Sequence, residues 1–410
     1  MTNVDETSVP ESTEPIAHLD HAVLVLEHLV EHGPATRSEL ASATGLGRGA
    51  IAGLTARLID AGVLRPAENE LTGDGRAAPL SLSAADHVLV TALIGADDAI
   101  ATVASLSGEE LARFTVPVDA PETSASALDA LGTALARALA QTARSGHPVA
   151  DVTVLVDGAV AGAPPVVIMD PRFGVDPVDV PGELRARVDA LAAVEATLLL
   201  PLTLEPAALA AASAEHIEFG IADLLYLAGD TGIMSAAVTR GVPLLGAHGL
   251  ASSTLAHLPV AEDGIQCECG QRGCLATVAS SEQVLERAGL GGFADAHGRV
   301  AALEELVTRI EAADDRARWS WLDAARWIGR ALQLVTPAVD PAIVVVGGYW
   351  GRLIDDIDTA YRANRPTLGG GALVAIPAIA PARVGADAAF HGARRRARDR
   401  LVADPLLLAG

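Results

Sequence analysis

The 410-residue chain contains no lysine: all 29 of its basic residues are arginine, set against 52 acidic ones, for a formal charge of −23. That absence excludes a lysine base, a Schiff base and a P-loop lysine. Aromatic residues are scarce as well, 3% against 50% hydrophobic overall, so Ala, Leu and Val must fill the core. Three cysteines are too few for a disulfide framework, and the chain reads as cytoplasmic. Long apolar runs are missing: the most apolar stretch, residues 193–214, is broken by Pro201, Glu205 and Pro206. It falls short of the roughly 20 uninterrupted residues a spanning helix needs, so no membrane contact is expected. The opening MTNVDETSVPESTEP is acidic and polar, neither signal nor transit peptide, and residues 1–16 read as a disordered tail.

What is present begins with three helices over residues 18–65. Ala22, Val23, Leu26, Leu29 and Val30 share one face of the first helix, which Gly33 and Pro34 end. Thr36 followed by Glu39 is a capping-box pattern for the second, and Ile51, Leu54, Leu58 and Ile59 give the third its face. VLRPAENELTGDGRAAPLSLS then reads as two short strands around a turn with Gly73 and Gly75. Three helices and a hairpin make a winged helix-turn-helix over residues 17–85; a small helical protein-interaction domain would have the same shape.

From residue 87 the pattern is β/α: strands in HVLVTALIGADDAIATVASLSGEEL and ELARFTVPV, a helix over 126–144, a strand over 149–158, helix ELRARVDALAA and strand TLLLPLTL. Helix AALAAASAEHI, strand ADLLYLAGD, a long helical stretch near 300–336, strand AIVVVGG and a closing helix follow. The opening order begins again near residue 222, which implies two lobes of layered α/β architecture. The expected division is a first lobe over 86–200, closed by a C-terminal helix over 386–410, and a second lobe over 201–385.

All three cysteines, Cys267, Cys269 and Cys274, fall within CECGQRGC, and His257 lies ten positions upstream of the first. Three thiolates and one imidazole make a complete tetrahedral zinc set with no open position for water, hence a structural rather than catalytic Zn2+. Gly270 and Gly273 let the loop fold back so that the sulfurs converge.

HLPVAEDGIQCECGQRGCL closely resembles the zinc motif of the ROK family of bacterial repressors and sugar kinases. GLGRGAIAGLTARLIDAGVLRP and GDGRAAPLSLS resemble the recognition helix and wing of the repressor branch, and LLYLAGDTGI, VTRGVPLLGAHGLA and AIVVVGG resemble further family segments. The resemblance covers nearly the whole chain. It implies an α/β fold in which a winged helix-turn-helix precedes a two-lobed, actin-like (RNase-H-like) ATPase body.

The same resemblance implies that chemistry has been lost. Family kinases use an Asp as general base in an E-N-D-A-N segment; here EPAAL leaves Glu205 but puts Pro206, Ala207 and Leu209 at the Asn, Asp and Asn positions. Alanine accepts no proton, so no catalytic residue is expected. The family's D-x-G-x-T stands as LIGAD (93–97), and its glycine-rich G-T-G-I-G-x-G as DTGIMSA, with Met234 and Ala236 where backbone must approach phosphate. Hexose ligands fail likewise: Thr254 and Ala276 replace two glutamates, and of that set only His257 survives. A hexose effector is therefore not expected; the pocket is either filled by apolar side chains or takes a less polar ligand.

The recognition-helix segment GRGAIAGLTARL offers Gly47, Gly49, Ala50, Ala52 and Gly53, which donate nothing to base edges. The donors left are Arg37, Arg48, Thr55, Arg57 and Arg76, the expected DNA contacts. Residues 17–85 hold five arginines against eight carboxylates, so binding should be weak, salt-sensitive and dependent on a homo-oligomer, dimer or tetramer. The arginine run 393–401 reads as a solvated helix face, and Trp319, Trp321 and Trp327 as core or subunit-interface packing. Two readings result: a ROK-like transcriptional regulator without kinase activity, or a degenerate scaffold acting through protein contacts alone.

Overall fold

In the N-terminal region, α1 (Glu14–His32), α2 (Arg37–Thr44) and α3 (Arg48–Asp60) precede an antiparallel ribbon of β1 (Leu64–Pro66) and β2 (Leu80–Leu82). The structure, a computed structural model, describes residues 14–67, 78–118, 124–170, 172–173, 176–230, 232–251, 253–363 and 376–409. The turn with Gly73, Gly75 and Arg76 and the first thirteen residues of the expected tail lie outside them, and α1 already begins at Glu14. The chain divides into two units, residues 1–87 with 105–109 and 398–410, and residues 88–104 with 110–397.

The first unit is built as its sequence dictates. Leu26, Leu29, Leu40, Ile51, Leu54 and Leu58 are buried with Leu64, Leu80 and Leu82, the apolar positions of each helix turned inward at helical spacing. Gly33 ends α1 with φ +80, a conformation that costs a glycine nothing. Thr36 and Glu39 form the capping box of α2: the Glu39 carboxylate accepts the Thr36 N–H at 2.7 Å, and the Thr36 hydroxyl accepts from the Glu39 N–H. Ala35 pairs with Leu80, which ties the helices to the ribbon.

The second unit holds two five-stranded mixed sheets of the same strand order. β3 (Val88–Ile94), β4 (Asp98–Ser105) and β5 (Glu110–Pro117) are followed by α4 (Ser124–Ser145), β6 (Val149–Val156) and the hairpin of β7 (Ala159–Ala161) and β8 (Val166–Ile168). Then come α5 (Val180–Arg187), α6 (Leu191–Glu195) and β9 (Thr203–Pro206), giving the order β5-β4-β3-β6-β9 with β3, β6 and β9 parallel. α7 (Ala207–Phe219) leads to β10 (Leu224–Ala228), β11 (Met234–Thr239) and β12 (Val242–Pro243). Next are α8 (Ala276–Ala279), α9 (Ser281–Ala288), α10 (Gly291–His297), α11 (Arg299–Glu311) and α12 (Asp315–Val339). β13 (Ile343–Gly347), α13 (Gly348–Arg352), α14 (Ile354–Ala363), β14 (Ala378–Pro381) and α15 (Ala388–Ala403) complete the chain, and the second sheet runs β12-β11-β10-β13-β14. The restart expected near residue 222 is this second sheet.

The scarcity of aromatics has a packing consequence between the sheets. Ala207, Ala208, Ala210, Ala211 and Ala212 of α7 are buried with Ala388, Ala389 and Ala393 of α15 and with strand residues Leu155, Tyr226 and Val345. A Cβ at Gly392 would lie 1.7 Å from the Ala210 carbonyl oxygen, so the two helices cross at a distance only small residues permit.

Three expected elements differ. TLLLPLTL is a strand only from Thr203, because the Leu199 and Leu200 N–H groups both turn to the Ala150 carbonyl and Pro201 has no donor. ELRARVDALAA is interrupted after Arg187 and resumes at Leu191. The stretch near 300–336 is two helices, since Asp314 accepts the Ala317 N–H at 2.8 Å and starts α12 anew. Among the described residues, no helix is long and apolar enough to cross a membrane.

Candidate metal centre and candidate nucleic-acid interface

His257 ends a short 3-10 turn (Leu255–His257), and the chain then loops out and returns through Cys267, Cys269 and Cys274. Backbone pairing shapes the return: Pro259 pairs with Cys274, Gln266 with Arg272, and the Cys267 N–H donates to Gln271 O at 2.8 Å. Gly270 and Gly273 take φ +92 and +72, and a Cβ on Gly273 would meet the Ala261 carbonyl oxygen at 1.8 Å. No other residue fits position 273.

One ligand atom from each of His257, Cys267, Cys269 and Cys274 lies within 4.8 Å of all the others. Cys269 Sγ and Cys274 Sγ are 3.6 Å apart, and Cys267 Sγ is 3.5 Å from His257 Nδ1. Bonds of ~2.3 Å to thiolate and ~2.0 Å to imidazole at tetrahedral angles set edges of ~3.8 Å between sulfurs and ~3.5 Å between sulfur and nitrogen. The donor set and its spacing therefore fit one four-coordinate metal ion. Burial pushes the Cys274 thiol up to about 12 and raises Cys267 as well, and it lowers His257. At Cys269 burial works in the raising direction, but the Gln271 N–H and the neighbouring thiols lower the pKa overall. A metal must displace protons from the thiols, so its affinity falls as the pH falls.

The five residues expected to contact DNA part ways. Arg48 and Arg57 are exposed on α3, with Gly49, Ala50, Ala52, Gly53 and Ala56 around them. Thr55 is 0% exposed: its hydroxyl donates to Ile51 O at 2.8 Å and accepts from Arg37 Nε at 3.0 Å. It is thus unavailable to a ligand and positions Arg37, half-buried on α2, against α3. The helical phase explains this, since Thr55 follows Ile51 and Leu54 on the inward face. Arg76 lies outside the described residues.

Four charged groups take partners that the sequence did not mark. Arg172 is buried and bridges Asp157 and Asp170 at 3.0 and 3.2 Å while donating to the Ile94 and Gly95 carbonyls at the end of β3. Burial alone would lower its pKa, yet Asp157 and Asp170 together raise it. Asp97, just beyond that turn, accepts the Arg299 and Val300 N–H groups, both at 3.0 Å, at the start of α11, and so ties one lobe to the other. Asp230, at the end of β10, accepts the Tyr349 N–H at 3.0 Å, and burial raises its pKa. The Glu205 carboxylate is held by Arg396 at 2.9 Å, next to Ala207, which is buried at the start of α7. The signals for these groups were acids placed where strands end, D-D at 97–98 and V-D-G at 156–158, but the partners of Asp157 and Asp97 lie 15 to 203 residues away in sequence, out of reach of local patterning.

Residues 90–399 match the ROK family. The chain belongs to that family. An N-acetylmannosamine kinase of Escherichia coli (strain SE11) is 27% identical over 267 residues, 64% of this ROK chain and 80% of the relative. Among solved structures, a ROK family transcriptional regulator described as a homolog of the E. coli MLC protein superposes with a TM-score of 0.68 at 20% identity, covering 96% of this chain and 98% of its own. A ROK family glucokinase from Streptomyces griseus, solved with glucose and AMPPNP, gives 0.59 at 25% identity, covering 76% of this chain and 99% of its own. The repeated mixed sheets are thus the ROK body, and the family includes both regulators and sugar kinases.

Proposed function

We propose that this ROK chain is a DNA-binding transcriptional regulator, a repressor, without sugar kinase activity. The observation that carries the reading is the unit of three helices and a ribbon ahead of the body, with α3 presenting Arg48 and Arg57 to solvent in the manner of a winged helix-turn-helix. The comparisons support it by extent: the regulator's likeness runs over 96% of the chain, the glucokinase's over 76%. Phosphate contacts from Arg48, Arg57 and Arg76, with Arg37 held on the backbone side by Thr55, supply an affinity that falls steeply with salt. A homo-oligomer doubles that small contact set.

Absence of phosphoryl transfer is part of the same reading. A kinase needs a base within reach of the attacking hydroxyl and room for phosphate at its glycine-rich turns. Ala207 supplies no base, and the neighbouring Glu205 is committed to Arg396. Asp230 brings a half-buried carboxyl, which accepts the Tyr349 N–H, to the turn where family kinases carry glycine. Arg172 fills the end of β3, with its charge already matched. The Cys3His cluster is assigned to structural zinc, whose chemistry when bound is to hold the 257–274 loop closed.

A gel shift with the chain's own upstream DNA at low salt, run beside an ATP-turnover assay with glucose and N-acetylhexosamines, tests this. A salt-sensitive shift without turnover is expected; turnover or no shift overturns it. The apolar surface of Gly49, Ala50, Ala52 and Gly53 on α3 favours a second reading, a winged helix used for protein contact, in which neither DNA nor sugar is bound.

A further inference from the structure

Away from the Cys3His loop, a second set of metal-ligating side chains gathers at the corner between α1 and α2. His28 and His32 stand four positions apart at the end of α1, so they share one face of the helix. Their imidazole rings are stacked, with centroids 4.5 Å apart and planes 19° from parallel. The His32 Nδ1–H donates to the His28 carbonyl at 3.2 Å, which fixes the tautomer and leaves the Nε2 lone pair free. Among the described residues, the ring nitrogens of His28 have no hydrogen-bond partner. Two imidazoles on one ion, with the metal ~2.1 Å beyond each nitrogen, hold their centroids ~4.5–5.2 Å apart. The pair already stands at that separation.

The third side chain comes from α2. Glu39 lines the same hollow as the two histidines, a space of about 410 Å3 whose other walls are Pro34, Ala35, Ser42 and Ala43, none of them charged. Only one oxygen of Glu39 serves the capping box. Oε2 accepts from the Thr36 N–H and hydroxyl at 2.7 and 2.8 Å, and among the described residues Oε1 accepts nothing. Thr36 foremost, and then the His28 imidazole, hold the Glu39 carboxyl below its usual range, which keeps it an anion. The carbonyl end of α1 adds a dipole that favours a cation at the same corner. Two imidazoles and a carboxylate suit zinc, nickel and cobalt rather than calcium or magnesium. The set is looser than the Cys3His cluster, whose ligand atoms alone, among the described residues, lie within 4.8 Å of one another. An ion held by two histidines of one helix, by a carboxylate that turns to meet it and by water exchanges with solution.

We propose that His28, His32 and Glu39 form an exchangeable site for a divalent first-row transition-metal ion at the α1–α2 corner. An ion there fastens the end of α1 to the start of α2, the helix whose Arg37 donates to Thr55 of α3. Occupancy thereby bears on how α3 is presented, a consequence that rests on the regulator reading, whereas the binding does not. Calorimetry of the tag-free full chain against Ni2+, with zinc loaded beforehand into the Cys3His loop, tests the site. Co2+ spectra show which residues take the ion, and thermal melts check that each variant keeps its fold. One further equivalent is expected. His28→Ala and His32→Ala each weaken it ~100-fold or more, since residues that merely orient metal ligands are already worth about 10–100-fold. Glu39→Gln weakens it ~10-fold and keeps the capping box, which glutamine also closes. Cobalt at this site gives weak d–d bands without a thiolate charge-transfer band. No further equivalent, an equivalent indifferent to His28→Ala and His32→Ala, or cobalt whose thiolate band places it on the cysteines overturns the proposal. Failure of the regulator reading looks different: metal bound with the expected variant responses, and no DNA shifted in its presence or absence.

Discussion

The charged centres buried in the body and the arginines exposed on α3 stand at opposite ends of one scale. In the Cys3His cluster and around Arg172, each polar group has its partner inside the chain, within 3.6 Å across the cluster and within 3.2 Å across the ion pairs. On α3, Arg48 and Arg57 stand in water among glycines and alanines. A centre completed within the chain fixes its own geometry and costs stability when broken. A surface that awaits a partner costs the fold nothing when altered and shows its worth only in binding.

Breaking the metal loop should have the largest effect. Structural zinc sites carry on the order of 10 kcal/mol of binding free energy, so chelation or Cys274→Ser should open residues 257–275 to proteolysis and lower the melting temperature. Metal analysis should find one zinc per chain, lost in the variant. Arg172→Ala comes next: two buried carboxylates lose their cation, at a cost of about 3–5 kcal/mol in denaturant unfolding. If either change left stability untouched, the contrast with α3 would collapse.

The exposed arginines should behave in the opposite way. Arg48→Ala and Arg57→Ala should stay within about 0.5 kcal/mol of the parent in stability, as surface substitutions do. Each should reduce the slope of log affinity against log salt by about 1 in DNA binding. Thr36→Ala, at the base of this unit, sharpens the comparison with an intermediate case. Loss of the N-cap should cost about 1 kcal/mol, read by hydrogen exchange in α2. Hydrogen bonds from Thr36 hold the Glu39 carboxyl below its usual range. The cap's contribution is therefore present above the ordinary glutamate pKa and is lost as pH falls through the lowered one.

The same contrast explains what the sequence made legible. His257, Cys267, Cys269 and Cys274 could be read because metal chemistry restricts both residue type and spacing, and the glycine at 273 because no side chain fits beside Ala261. The capping box at Thr36 and Glu39 is local and was equally plain. The repeated strand order of the two sheets was visible as a restart of the pattern, though not its strand boundaries, because Pro201 and the carbonyl of Ala150 decide where β9 begins. Thr55 was misjudged as a surface donor, since residue type suggested a hydroxyl for DNA while helical phase turned it inward to Arg37. The tie of Asp97 to α11 and the bridge from Arg172 to Asp157 are long-range pairings of ordinary residues, for which sequence holds no local signature.

Selection of bound sites from random duplex DNA, followed by titration of the enriched site against salt, tests the central claim most directly. The regulator account predicts a two-fold symmetric site, bound by the parent chain, weakened steeply by salt and lost in the Arg48→Ala, Arg57→Ala double variant. No enriched sequence, or an enriched site that the double variant binds equally well, would contradict it.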